Sequence, residues 1–371
     1  MRRARLPGGR VLWLVMATVL VPAGLRGQQK QNDSDREAAS LSREAAIQES
    51  AGNFAEAEKN LRRVVEINPG RESAVFSLER VLRKEGKVEE ILPVIDRYLE
   101  VRPNGTAMRH FQLRLLSQMD SLSALDRAAR DWIRHDASSL ETYRVIVEVF
   151  QNSLGPDRTL SVIRQAREAT GRPDALALEA GDVLSASGDR SGAGREWSRA
   201  IGKDDRNLPL VLQRVEALSG NPREIVGALL QGLERDDAAG AARLQGAARL
   251  ALAAGLTHRA VELADAALDH TDGTARTGFL VALGQRAEQR GASTVAIWAY
   301  QRIREYSSDP DERAALDQQI AELALAAGDT AVAMEARSRL ASTLPEGSPE
   351  RRRAMADRLE LEVEQTDPED A

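Results

Sequence analysis

The sequence predicts an all-α chain, an array of about nine helix hairpins closed by a C-terminal capping helix. Three observations carry that expectation. A turn-to-proline block of fixed length recurs every 34 residues. Within each block, apolar residues recur at the three- and four-residue spacing of one helical face. Finally, 29% of the 371 residues are charged and only 4% are aromatic, a balance suited to thin, alanine-rich helix interfaces.

The reference block is Gly52 to Pro69. Gly52 and Asn53 tolerate a tight turn. Ala57, Leu61, Val64 and Val65 form one apolar stripe, and Pro69 stops the helix. The block returns as Gly86, Ile91, Ile95, Tyr98 and Pro103. A helix from Arg36 to Ala51, with Leu41, Ala45 and Ile47 facing inward, pairs with the first block. Ser73 to Lys84, with Val75, Leu78, Val81 and Leu82 inward, opens the second hairpin.

Further copies fall at Asp120 (Leu122, Leu125, Ala129, Trp132, with Ala137 in place of proline) and at Leu154 beside Gly155 (Ile163, Ala166). The copy at Gly188 is the strongest, reading Ala180-Gly181, Ala193, Trp197, Ala200 and Ile201. Gly181 and Ala193 mark a close approach of two helices, where a larger side chain would push them apart. Later turns at Gly220, Gly255, Gly291 and Gly328 are spaced 35, 36 and 37 residues apart, which reads as short loop insertions. The amphipathic stretch 346–365, with Met355, Leu359, Leu361 and Val363, reads as the cap, and 366–371 as an acidic tail.

The N-terminus has a different character. Arg2, Arg3, Arg5 and Arg10 precede the apolar run Val11–Val21, and small residues follow at Ala23, Gly24 and Gly27. Residues 1–27 therefore read as a secretory signal peptide, cleaved after Ala23 or after Gly27, and 28–35 as a polar, flexible lead-in to an array spanning 36–345. The apolar run is too short for a comfortable membrane span. Removal of 1–27 leaves 46 basic against 57 acidic side chains. Such an acidic, exported protein is not suited to nucleic acid. A periplasmic location is expected, with secretion or a retained signal anchor as the alternatives.

Catalytic patterns are missing from the sequence. Without cysteine there is no disulfide, thiolate site or cysteine nucleophile. His110, His135, His258 and His270 show no metal-ligand spacing. Gly192-Ala193-Gly194 lies inside a predicted helix, so it is no phosphate loop. No GxSxG occurs, and Trp132, Trp197 and Trp298 sit at or beside packing offsets. No cofactor is expected, and the chain reads as a non-enzyme.

The 34-residue period with Gly, small-apolar, large-apolar and Pro at fixed offsets resembles the tetratricopeptide-repeat (TPR) family. The resemblance implies a right-handed superhelical solenoid. It also implies that first helices line a concave groove in which extended peptides lie. Placed on that pattern, Phe76, Arg80, Arg83 and Lys84 fall on the groove side of the second hairpin, His110 and Arg114 on the third, and Arg144 and Gln151 on the fourth. Asp182, Glu288 and Glu322 occupy groove positions further on. A basic strip of this kind would attract an acidic peptide or a C-terminal carboxylate. Glu79, Glu85 and Glu148 stand close enough in sequence to neutralise it instead. The Lys and Asn residues with which some family members clamp a chaperone C-terminus are not matched here. The expected function is an exported, non-catalytic protein-interaction scaffold. A docking subunit of an envelope enzyme or outer-membrane assembly machine is the alternative.

Overall fold

The computed structural model describes residues 23–202, 205–234 and 240–366. Residues 1–22, most of the expected signal peptide, lie outside the described residues, as does nearly all of the acidic tail. All regular structure among the described residues is helical. The chain divides into two compact units, Met1–Ala137 and Ser138–Ala371.

The first unit holds three hairpins. They are α1 (Ala23–Ser50) with α2 (Phe54–Ile67), α3 (Glu72–Lys84) with α4 (Leu92–Val101), and α5 (Thr106–Gln118) with α6 (Leu122–His135). Helix α1 starts before Gln28, so the stretch expected as a lead-in is helical. A 3₁₀ turn, Val88–Ile91, precedes α4, which is shorter than expected. Pro93 sits in the first turn of α4, where its missing N–H costs nothing, and this fixes the helix start. The core joins Ala57, Leu61 and Val64 of α2 to Val75, Leu78 and Leu82 of α3, then to Ile95 and Tyr98 of α4. On α1 the seam is Ala38 and Ala45, whereas Ile47, expected inside, is 62% exposed.

The second unit holds six hairpins and the cap. They are α7 (Leu140–Ser153) with α8 (Gly155–Thr170), α9 (Ala177–Ser187) with α10 (Arg190–Ile201), and α11 (Leu208–Ala217) with α12 (Arg223–Glu234). Then come α13 (Ala241–Ala253) with α14 (Thr257–Leu268), α15 (Gly273–Gln289) with α16 (Ser293–Tyr306), and α17 (Pro310–Ala326) with α18 (Thr330–Thr343). Helix α19 (Pro349–Thr366) packs on α18. Its buried contact is Ala354, while Met355 and Leu359 face solvent. The hairpin count and the cap match the sequence reading.

Backbone conformation explains why the period is legible. The residues at the nine turns, Gly52, Gly86, Asp120, Gly155, Gly188, Gly220, Gly255, Gly291 and Gly328, all have positive φ. Glycine enters that region without the steric penalty of a Cβ. Asp120 adopts it at φ 52° and so keeps the register where the glycine is missing.

Small residues set how closely helices approach. A Cβ on Gly181 of α9 would overlap the Trp197 indole of α10. One on Gly194 of α10 would overlap the Ile225 carbonyl oxygen of α12. The Gly192-Ala193-Gly194 stretch is thus a helix crossing, and α10 packs extensively on α12. Downstream the core is a seam rich in alanine, including Ala248, Ala260, Ala264, Ala296, Ala321 and Ala333.

Candidate functional site

In each hairpin the first helix buries one face against its neighbours and leaves the other open. On α3, Ala74, Val75, Leu78, Val81 and Leu82 are buried, which turns Arg80, Arg83 and Lys84 outward. On α5 the buried set includes Met108, Phe111 and Leu115, leaving Arg114 exposed and His110 half-buried. Phe76 of α3 is half-buried, and its ring meets that of Phe111 at 5.2 Å between centroids with a 57° tilt. This edge-inclined contact is favourable for aromatic quadrupoles. The structure therefore joins Phe76 to α5, beside His110.

The basic residues fall into two groups. Arg80 is gripped in bidentate fashion by Glu49 of α1, with Nε–Oε1 2.5 Å and Nη2–Oε2 2.7 Å. The Arg80 hydrogen bond holds the Glu49 carboxyl below its usual range, with Lys84 helping through its charge. Arg83 donates to Glu79, 2.6 Å away. Arg144, in the second unit, donates to Glu141 at 2.7 Å and to Glu179 at 3.2 Å. Lys84, His110 and Arg114 make no hydrogen bond or salt bridge among the described residues.

The acids singled out by sequence are also partnered. Asp182 accepts from Trp197 Nε1 at 3.1 Å and from Arg214 Nε at 2.7 Å. Glu288 accepts from Gln319 at 2.6 Å, and Glu322 from Gln318 at 3.0 Å. Burial, followed by the hydrogen bond to Glu288, pushes the Tyr300 hydroxyl well above its usual pKa. Asp182 and Glu288 thus bridge adjacent hairpins, whereas the Glu322 bond stays within α17.

Two features escaped the sequence reading. The first is a cavity of about 630 Å³ between α4, α5 and α6. Arg109, 4% exposed at its side chain, donates there to Asp131 at 2.6 Å and to the Pro103 carbonyl at 3.2 Å. Gln112 donates to Asp96 at 2.8 Å. Burial raises the Asp96 pKa against that bond, with the Glu100 charge adding to the rise. The second is Arg249 on α13, half-buried and facing Arg286 of α15. It lies six residues before the turn glycine Gly255, the offset at which Arg80 precedes Gly86 and Arg214 precedes Gly220. That shared offset is the signal that would have found it.

Among the described residues no group of three or more His, Asp or Glu side chains could hold a metal ion. No described helix is long and apolar enough to cross a membrane.

These hairpins, with left-handed turn residues at intervals of 32 to 37 residues, give the chain a TPR-like helical repeat fold. No protein-family model matches the chain, and no curated protein matches its sequence. Three solved structures that are similar to it each share 12% identity with it. One is the MamA RS-1 ArsTM double mutant, matched over 44% of this chain and 93% of that one with a TM-score of 0.31. Another is a tetratricopeptide repeat protein from Parabacteroides merdae, matched over 78% and 99% at 0.32. A third is the Naa15/Naa10 complex bound to HypK-THB, matched over 92% and 63% at 0.32.

Proposed function

We propose that the chain is an exported, non-catalytic scaffold that binds an acidic segment of a partner protein along the first-helix face of its first unit. One observation carries this reading. Lys84, His110 and Arg114, which make no hydrogen bond among the described residues, share α3 and α5 with the half-buried Phe76 on Phe111. An aromatic surface beside the Lys84 and Arg114 charges suits a peptide bearing both an apolar side chain and carboxylates. Arg80 and Arg83 contribute less, because Glu49 and Glu79 already occupy their donors. Arg144 is held in the same way by Glu141 and Glu179. Export belongs to the reading through the Arg2–Val21 pattern of the sequence.

The test is crosslinking and mass spectrometry on the envelope fraction, with wild type and a K84E/R114E variant. Both positions are exposed, so the variant is expected to fold as wild type does, with an unchanged far-ultraviolet spectrum. Loss of one dominant crosslinked partner supports the reading. Unchanged recovery by the folded variant overturns it, and so does finding the protein only in the cytoplasmic fraction.

A further inference from the structure

Helices α9, α11, α13, α15 and α17 carry a ladder of polar residues six before their turn glycines: Asp182, Arg214, Arg249, Gln285 and Glu322. Along this ladder Asp182 and Arg214 neutralise one another at 2.7 Å. Arg249 follows with no acid at the adjacent rungs, since Arg214 is already engaged and the next residue is Gln285. Among the described residues it makes no hydrogen bond.

Its surroundings deepen the imbalance. Arg249, Gln285, Arg286 and Gln289 line one cavity of about 280 Å³. Arg286 donates one N–H, from Nη1, to Glu216 of α11 at 2.9 Å and keeps the rest of its fork. Two guanidinium groups thus face one carboxylate. Burial lowers the Arg249 pKa, and the charge of Arg286 lowers it further against the opposing pull of Glu216. A half-buried cation with unused donors, lining one cavity with a second cation, is stabilised by an anion between them.

We infer that Arg249 and Arg286, with the amides of Gln285 and Gln289, form an oxyanion-binding site on the second unit, built for a carboxylate or phosphate group. The planar forks suit bidentate capture, and the glutamine amides supply neutral donors that satisfy the remaining oxygens. Glu216 is the site's internal competitor. A partner's carboxylate would make this a second anchor for the scaffold proposed above, whereas free phosphate would make it a separate ligand site. The site lies on other helices than Lys84 and Arg114, so the two readings fail independently.

Isothermal titration calorimetry on the full chain tests it with two probes, inorganic phosphate and an acetylated, amidated Gly-Glu-Glu-Gly peptide. Either probe is expected to bind wild type and to weaken about tenfold or more in R249Q, as the loss of charge-assisted bonds dictates. R249K, which keeps the charge without the fork, falls between. E216Q removes the competing carboxylate and is expected to tighten binding. This variant also guards against misreading an unfolded R249Q, because it gains rather than loses. Tighter binding of the peptide assigns the oxyanion to a partner's carboxylate, and binding of phosphate alone assigns it to free phosphate. The site is overturned when neither probe binds, or when affinities are the same in wild type, R249Q and E216Q.

Discussion

Replacing Gly181 by alanine adds one methyl group where the structure has no room for it. The new Cβ falls 2.2 Å from Cδ1 of the Trp197 ring, and Trp197 is 1% exposed, so the indole must swing. That overlap sits at the severe end of overpacking, about 3 kcal/mol, and alanine returns about 1 kcal/mol of helix propensity. Movement of the ring also strains its hydrogen bond to Asp182, 3.1 Å long. The net expectation is a loss of about 2 kcal/mol. Gly284 supplies the internal control. It stands sixteen residues before Tyr300, as Gly181 stands before Trp197. A Cβ there would lie 3.0 Å from the Tyr300 ring, a contact that yields with a small shift. Overpacking of about 1 kcal/mol then cancels the propensity gain, so G284A stays near neutral. Urea unfolding of both variants, with amide exchange across residues 177–201, gives the comparison locally even if the array does not unfold in one step. The steric account fails if G181A matches wild type, or if both variants lose the same amount.

Three further outcomes are expected. Burial would raise the Glu58 pKa, but hydrogen bonds to Arg62, Glu85 and Lys87 outweigh it and bring it from 4.5 to about 2. Its stabilisation is present above pH 4.5 and lost as pH falls toward 2, so the deficit of E58Q in urea midpoint at pH 7 should shrink across that window. Asp317 is fully buried, with Oδ1 2.7 Å from Arg304 and 3.0 Å from Arg339. D317A strands two partly buried guanidinium groups and should cost about 3 kcal/mol in thermal or urea unfolding, the scale of a broken buried pair; a loss below that of an exposed pair would contradict it. Asp189 caps α10 by accepting from the Gly192 N–H at 2.8 Å, so D189A should cost about 1 kcal/mol and raise exchange in the first turn of α10.

The fold was legible because its rule is local. Each turn requires one residue of positive φ, and that demand shows in sequence as a glycine on a fixed period, or as Asp120 where the period holds without one. Burial was less legible where apolar residues exceed the seam available. Ile47, Met355 and Leu359 fit a helical stripe, yet the seams on α1 and α19 use Ala38, Ala45 and Ala354 instead. Small side chains permit the close approach, and the larger ones are turned outward. The candidate site was half legible. Residue type and offset located Phe76, Lys84, His110 and Arg114 on first helices, but nothing in the spacing reveals that Glu49, thirty-one residues before Arg80, claims its fork. Nor could composition distinguish Arg249 from the other arginines. What sets it apart is the missing acid on adjacent rungs, a property of neighbours on different helices.

The alanine seam of the second unit also governs how this sequence can drift. Ala248, Ala260, Ala264, Ala296, Ala321 and Ala333 are all fully buried. Trimming such a residue to glycine removes one methyl, while enlarging it wedges two helices apart. Tolerance there is one-sided: the outer faces can accept larger side chains, and the seam admits little beyond glycine or serine. Across a saturation mutagenesis map, sensitivity to bulk should rise and fall with the same interval that separates the turn glycines.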